Sequence, residues 1–555
     1  MNFLANYPKT YVKYMKIHSL GDIPEILSYL VMYLKLVPNL ENSVKFAASE
    51  STTSLSYDLR KMLWDMEIRV YHGIDDALTN FATSWGKWSE YFKRALHLIR
   101  SSVQEKNETS RIITLNRALD VALDGTREMM NKFANSLHQP TMIIYSIGVM
   151  IPLALVAMLP AAGLVGLKIT IFQVFLLYDL ILPSFIFFYT RNILLKRPAT
   201  FNPPAISTEH PNIAKINKKR RLFSSIILGS AISFPGFIFL TLPLFVKEGS
   251  SNFFLSFLIN PNGLNSYLPA TLFIIWGVVV ATSTYCLNVY RPYKIIRDDI
   301  KQIETEFSDA LYILGKRISE EKSPEESFLY VADTMQGSKI AEIFRKTGYN
   351  LTAMHSNLKD SMFNSEYGSL KYVHSDRIKA IMRLFVEGVQ KSQKAVSISI
   401  IRIADHLKEL QSVEKKIKDM LFTLTSTLRS TVAIFAPLIG GVTISITKLI
   451  SNILSGISGK ISTNELSVSS VGVSSISDSF TLENIRSEYF VLVIGIYIIE
   501  LIFLLVRFTN GIDDGDDKAM YMYSIGKIMP ISIFVFSVTI IIGQMFFSNI
   551  FYQLG

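Results

Sequence analysis

Apolar residues recur at helical spacing among ordinary polar ones over residues 1–140, and then an uncharged apolar run takes over from Thr141 to Gly163. At about 1.5 Å of rise per residue, a run of this length crosses a hydrocarbon core of about 30 Å. Six more such runs follow: Thr170 to Thr190, Leu222 to Val246, Leu268 to Asn288, Thr431 to Leu454, Tyr489 to Phe508 and Lys527 to Phe547. The pattern therefore predicts seven membrane spans. Ahead of the first, Ile23, Ile26, Leu27, Leu30, Val31 and Leu34 fall on one helical face, with Asp22 and Glu25 placed as a capping box. Further helical patterns run from Glu41 to Ser49, Tyr57 to Tyr71, Asp75 to Thr83, Lys87 to Gln104 and Arg111 to Leu137, which together predict a six-helix bundle.

The segment after the fourth span repeats the first at a nearly fixed offset. Ile23, Ile26, Leu27, Leu30 and Leu34 return as Phe307, Ala310, Leu311, Leu314 and Ile318, every one of them shifted by the same amount. Asn39 and Glu41 match Ser323 and Glu325, where Ser323-Pro324-Glu325-Glu326 is a strong helix start. Arg117 and Asp120 match Arg402 and Asp405, and Pro152 matches Pro437, with the shift longer by a single position. The stretch from about Leu55 to Phe92 aligns poorly. A register held this long reads as a duplication whose unit is a cytosolic helical domain followed by spans. Transporter repeats, in contrast, are repeats of membrane helices and are often inverted.

Charge sets the orientation. Arg191 to Arg221 carries eight Lys and Arg against one acid, Glu209, and so belongs on the cytoplasmic side. That places 1–140 and 289–430 inside, Ser455 to Glu488 outside as a Ser-rich exposed loop, and the C-terminus outside. The basic loop also supplies most of the chain's net +10, a topology signal and not a nucleic-acid footprint. With 49% hydrophobic residues over 555 positions and mean hydropathy +0.30, several parts are expected, some in lipid. The one cysteine, Cys286, builds neither a disulfide framework nor a thiolate metal site. The N-terminus lacks the continuous apolar stretch of a cleaved signal.

The expected fold is all-α: a polytopic membrane protein with two duplicated cytosolic helical-bundle domains and about seven transmembrane helices. Its segments are a bundle at 1–140, spans at 141–190, the basic loop at 191–221 and an inserted hairpin at 222–288. A second bundle at 289–430, a span at 431–454, an outer loop at 455–488 and the last spans at 489–555 complete it.

At these residues the chain resembles the type II secretion F-domain family, the membrane platform proteins of type IV pilus, type II secretion and archaellum machines. Tyr57-Asp58-Leu59-Arg60 leading to Gly73 and Ala77-Leu78 is similar to the family's charged helix, glycine turn and Ala-Leu helix. Ala341-Glu342-Ile343-Phe344 stands at the comparable place in the second unit, without the glycine and Ala-Leu elements. The number of spans resembles the archaeal branch. The resemblance implies a hexameric secretion ATPase as cytosolic partner, pilin-like filament subunits as membrane cargo, and a homo-oligomer, a dimer among the options, in the cell membrane.

No G-x-x-x-x-G-K-[ST] loop, H-E-x-x-H or nucleophile grouping is present, so neither a built-in ATPase nor another enzyme is expected, and no cofactor. Asp179 and Glu500 lie at span depth, where an ionisable group is costly; they contact a pilin-like helix or another protomer, or are protonated or hydrogen-bonded packing residues. Lys218, Lys219, Arg220 and Arg221 border the third span, either as a topology signal drawn to anionic lipid or as an ATPase dock. Asp513, Asp514, Asp516 and Asp517 lack the ligand spacing of a calcium loop and read as a solvated turn or a contact with the ATPase rim. Glu41, Arg117, Asp120, Glu325, Arg402 and Asp405, retained in both units, are further candidates to face the ATPase. A solute transporter with cytosolic regulatory domains is the alternative reading.

Overall fold

The computed structural model describes residues 2–51, 53–152, 154–155, 158, 171–198, 213, 216–245, 269–390, 393–463, 487–515 and 517–554. Every regular element among them is helical, and no strand occurs among the described residues. The chain divides into two compact units: Met1–Ser136, Leu195–Ala214 and Tyr293–Leu421 form one, and Leu137–Leu194, Lys215–Pro292 and Phe422–Gly555 the other.

The first unit is built around the helix Ile23–Leu36, eleven of whose fourteen residues are buried. A helix apolar nearly all round has neighbours on most sides, and Ile26, Leu27, Leu30 and Leu34 are fully enclosed. Phe307, Ala310, Leu311, Leu314 and Ile318, their counterparts in the repeat, are buried to the same degree. Both sets belong to one continuous core that runs from Leu20 to Leu123 and from Phe307 to Leu410. Burial of a Leu such as Leu30 contributes about 1.5–3 kcal/mol, and truncating it to Ala would cost about 2–5 kcal/mol.

Five helices follow in the first half of this unit: Leu40–Glu50, Ser54–Glu67, Ile74–Gly86, Glu90–Val103 and Glu108–Ser136. In the second half, Pro324–Thr334, Lys339–Thr352, Leu358–Phe363 and Asp376–Val389 start in the same order, each 284 to 286 positions on from its counterpart, and Gln393–Ser430 follows them. The register therefore continues through the stretch where residue identities align poorly. Caps explain several starts. Asn39 Oδ1 accepts from the Asn42 amide at 2.9 Å, and Ser323 Oγ from that of Glu326 at 3.3 Å; Ser89 and Ser375 serve Phe92 and Ile378 in the same way. Such a side chain satisfies an amide that the first helical turn leaves open.

Two local expectations fail. Asp22 caps nothing: the helix Asn2–Ser19 runs through a 3-10 turn, Leu20–Asp22, into Ile23–Leu36, so Asp22 is already helical and its side chain is buried. The predicted loop from Ser455 begins as helix, because Ala436–Thr463 contains no proline beyond its first turn and continues to Thr463; residues 464–486 lie outside the described residues.

Among the described residues, six helices are long and apolar enough to cross a membrane: Phe172–Leu194, Lys218–Ile238, Thr271–Ser319, Val396–Ile450, Tyr489–Asp513 and Lys518–Phe546. The chain is a multi-pass membrane protein. The first expected span, Thr141 to Gly163, lies largely outside the described residues beyond Pro152 and is helical up to that point. Small residues bring neighbouring helices together. A Cβ on Gly277 would stand 2.6 Å from the Gly229 carbonyl, and one on Gly441 2.8 Å from Thr539. Among the described residues three helices carry a π turn, at Ser146–Met150, Leu176–Ile181 and Thr431–Phe435. The first and third are related by the offset of the repeat, each just ahead of a proline, Pro152 or Pro437.

Candidate functional site

Within the membrane unit, polar chemistry collects around the first two π turns. A proline has no amide proton, so Pro152 leaves a carbonyl one turn back without its helical donor. In an apolar surrounding such a group must be satisfied by a neighbour. Tyr497 does this, donating its hydroxyl to the Gly148 carbonyl at 2.6 Å. Tyr178 donates to the Pro152 carbonyl, and the two tyrosine rings meet edge to face at 5.7 Å. At the third π turn Ser532 donates to the Val432 carbonyl at 3.0 Å, one turn and a little more before Pro437. A cavity of about 30 Å³ lies among Gly148, Pro152, Tyr178, Gly440, Thr443 and Tyr497, room for about one water molecule.

Asp179 follows Tyr178 on the second π turn and is 9% exposed. Among the described residues neither of its oxygens has a hydrogen-bond partner, nor does Oε2 of Glu500, whose charge acts on Asp179. The structure thus brings together the two acids singled out in the sequence. It also encloses Asp179 within the unit, which leaves Glu500, partly exposed, as the one of the pair more open to a neighbouring chain. The tyrosines and open carbonyls around them were not foreseen; the paired prolines were the signal that could have found them.

The candidates in the first unit occupy two settings. Glu41 and Glu325 lie in the first turns of their helices, and Glu41 pairs with Lys45 at 2.7 Å. Asp120, Arg402 and Asp405 surround Lys35, a lysine 8% exposed on the central helix, while Arg117 is exposed. Burial lowers the Lys35 ammonium to about 8, Arg402 adds to the shift, and Asp120, Glu409 and Asp405 oppose it. Nearby, Ser28 Oγ lies 3.1 Å from His406 Nε2. Burial likewise opposes the charge on Arg377, but Glu304, Glu25 and Glu414 outweigh it and hold that guanidinium above its ordinary range. Glu50 and Arg383 form an ion pair between the two halves. These charges line a seam where residues from both halves of the chain meet.

The remaining candidates are in the membrane unit. Lys218, Lys219 and Arg220 are exposed on the first turn of Lys218–Phe245, and Arg221 donates to the Asn288 carbonyl. Positive charge opposes the helix dipole at this end, so helix stability does not account for the run. Asp513 pairs with Arg429 at 2.7 Å, and Asp517 Oδ1 caps the next helix by accepting from the Ala519 amide at 2.8 Å. Asp514 is partly buried and Asp516 lies outside the described residues. Among the described residues no three His, Cys, Asp or Glu side chains converge on a metal position. Comparison with known protein families, curated proteins and solved structures finds no match for this chain.

Proposed function

We propose that this protein is a membrane-embedded assembly platform of a type IV pilus-like, archaellum-like or type II secretion-like machine. The observation that carries the reading is the recurrence, at one nearly constant offset, of four helix starts in the first unit, followed by a π turn with its proline in the membrane unit. We read it as a tandem duplication of a bundle with its adjoining span, in one orientation. Such a chain presents two like bundles on the cytoplasmic side, suited to a hexameric secretion ATPase, and spans that hold pilin-like subunits on their way into a filament. Coupling would be mechanical, which is consistent with a chain whose motifs point to no catalysis of its own. The orientation has the N-terminus inside, seven spans and the C-terminus outside.

The test is genetic and biochemical. Deleting the gene should abolish surface filaments or secretion, and native complexes should hold the ATPase and pilin-like subunits. Normal filaments and secretion in the deletion strain would refute the reading. The enclosed Asp179 on a π turn, with Glu500 near it, favours, as a second reading, a solute transporter. Solute flux into liposomes containing the purified chain, with no filament defect in cells, would select it.

A further inference from the structure

The matched helices Ser54–Glu67 and Lys339–Thr352 share a pattern that the register of helix starts exposes: Arg60-Lys61-x-x-Trp64 in one and Arg345-Lys346-x-x-Tyr349 in the other, in the same register at every position. Packing accounts for part of the match. Leu55, Leu59 and Met62, with Ile340, Phe344 and Thr347, are buried. The arginines tie each helix to the end of the one before it. Arg60 donates to the carbonyls of Ala48 at 2.9 Å and Ser51 at 3.1 Å, and Arg345 pairs with Asp333 at 3.5 Å.

The lysines and rings have no such duty. Trp64 is 62% exposed and Tyr349 61%. Lys61 makes no ion pair among the described residues, and Lys346 reaches only the Gly368 carbonyl, at 3.5 Å. Beyond each helix comes a left-handed residue, Arg69 or His355, with exposed apolar neighbours beside it: Ile68 and Val70 in one case, Met354 in the other. Folding gains little from a ring left in water, whereas Trp and Tyr are the residues that anchor protein interfaces.

We infer that each bundle carries one copy of a docking knob, a lysine with an aromatic ring three residues on, and that the knobs receive a homo-oligomeric protein whose subunits each set a carboxylate beside an apolar pocket. The exposed, unneutralised lysine selects the carboxylate, and the ring selects the pocket. Repetition selects the oligomer: a single pocket would engage one knob and leave the other in water, while identical subunits engage both and gain avidity. The inference rests on the platform reading for the choice of probe.

The test uses the full chain in lipid nanodiscs and the purified hexameric secretion ATPase, titrated against one another. Replacing Lys61 and Trp64 by serine, or Lys346 and Tyr349, should weaken binding about tenfold, and replacing all four about a hundredfold or more. Trp64→Tyr, which keeps a ring, should retain binding. Circular dichroism and gel filtration report whether each variant is folded. Binding by the unaltered chain that survives all four substitutions overturns the knobs and leaves the platform reading standing. No binding by the unaltered chain overturns both. If the substitutions instead dissolve a dimer of this chain, the occupant is a second copy and the inference fails.

Discussion

The hydroxyl of Tyr497 donates to the carbonyl of Gly148, 349 positions away in the chain. Pro152 lies one helical turn after Gly148 and has no amide proton to offer it. A distant side chain thus completes a helix that its own sequence leaves incomplete.

Tyr497→Phe keeps the ring and removes the donor, leaving a buried carbonyl open. The expected loss is about 1–3 kcal/mol, read as a lower thermal midpoint of the purified chain in detergent. Ser532→Ala should act in the same direction at Val432. A midpoint unmoved by either substitution would mean that water already satisfies these carbonyls.

Asp22 should lower the stability of the first unit as pH rises from about 4 to about 8, while His406, whose burial lowers its imidazole to about 3, offsets part of that fall up to about 6.5. Burial, with the nearby Glu25 adding to it, raises the Asp22 carboxyl from 3.8 to about 8, against a hydrogen bond with Thr53. The folded protein holds a proton there that the unfolded chain releases above 3.8, so the contribution is present in acid and is lost as pH passes toward 8. Lys35 has the opposite sign. Its folded value, about 8, lies below the ordinary 10.5, so its contribution returns as pH rises from about 8 to 10.5. Asp22→Asn should flatten the first limb and Lys35→Met the second, each by at most about 1.4 kcal/mol per pH unit. Denaturant titration followed by tryptophan fluorescence, to which Trp64, Trp85 and Trp88 of this unit contribute, measures both.

Much of the first unit's fold was legible because it depends on short-range signals. Five helices begin within three residues of the expected positions, since caps such as Asn39 and Ser323 and the apolar spacing act locally. Asp22 misled because a capping residue is recognised only if the chain before it is not helical, and Asn2–Ser19 is helical despite Pro8. The candidate site was legible as acids at span depth but not as an arrangement. Nothing near Gly148 in sequence announces Tyr497, and three-dimensional packing alone places Lys35 among Asp120, Arg402 and Asp405.

Asp513 was expected on a solvated turn or an ATPase rim, and it holds Arg429. Asp513→Asn should cost about 1–3 kcal/mol for this partly buried pair, with a matching loss in Arg429→Gln and little further loss in the double variant. Additive losses in that cycle would show that the two residues act separately.

Orientation is open to direct labelling. With Cys286→Ser removing the native thiol, Ile216→Cys should be shielded from a membrane-impermeant thiol reagent added to intact cells, and Ser470→Cys should react. Labelling of the first and not the second would reverse the topology drawn from the basic loop.

The borrowed hydrogen bond at Gly148 also bears on biogenesis. A ribosome adding about 5–20 residues per second needs roughly 20–70 s to travel from Gly148 to Tyr497. Throughout that interval the helix around Gly148 exists without its donor. The early segment must wait in contact with water, lipid headgroups or the insertion machinery, and it reaches its final state only when the last part of the polypeptide arrives. Translation stalled before Tyr497 should therefore leave an amino-terminal fragment that quality control recognises as unfinished, even though its helices Ile23–Leu36 through Glu108–Ser136 are already made.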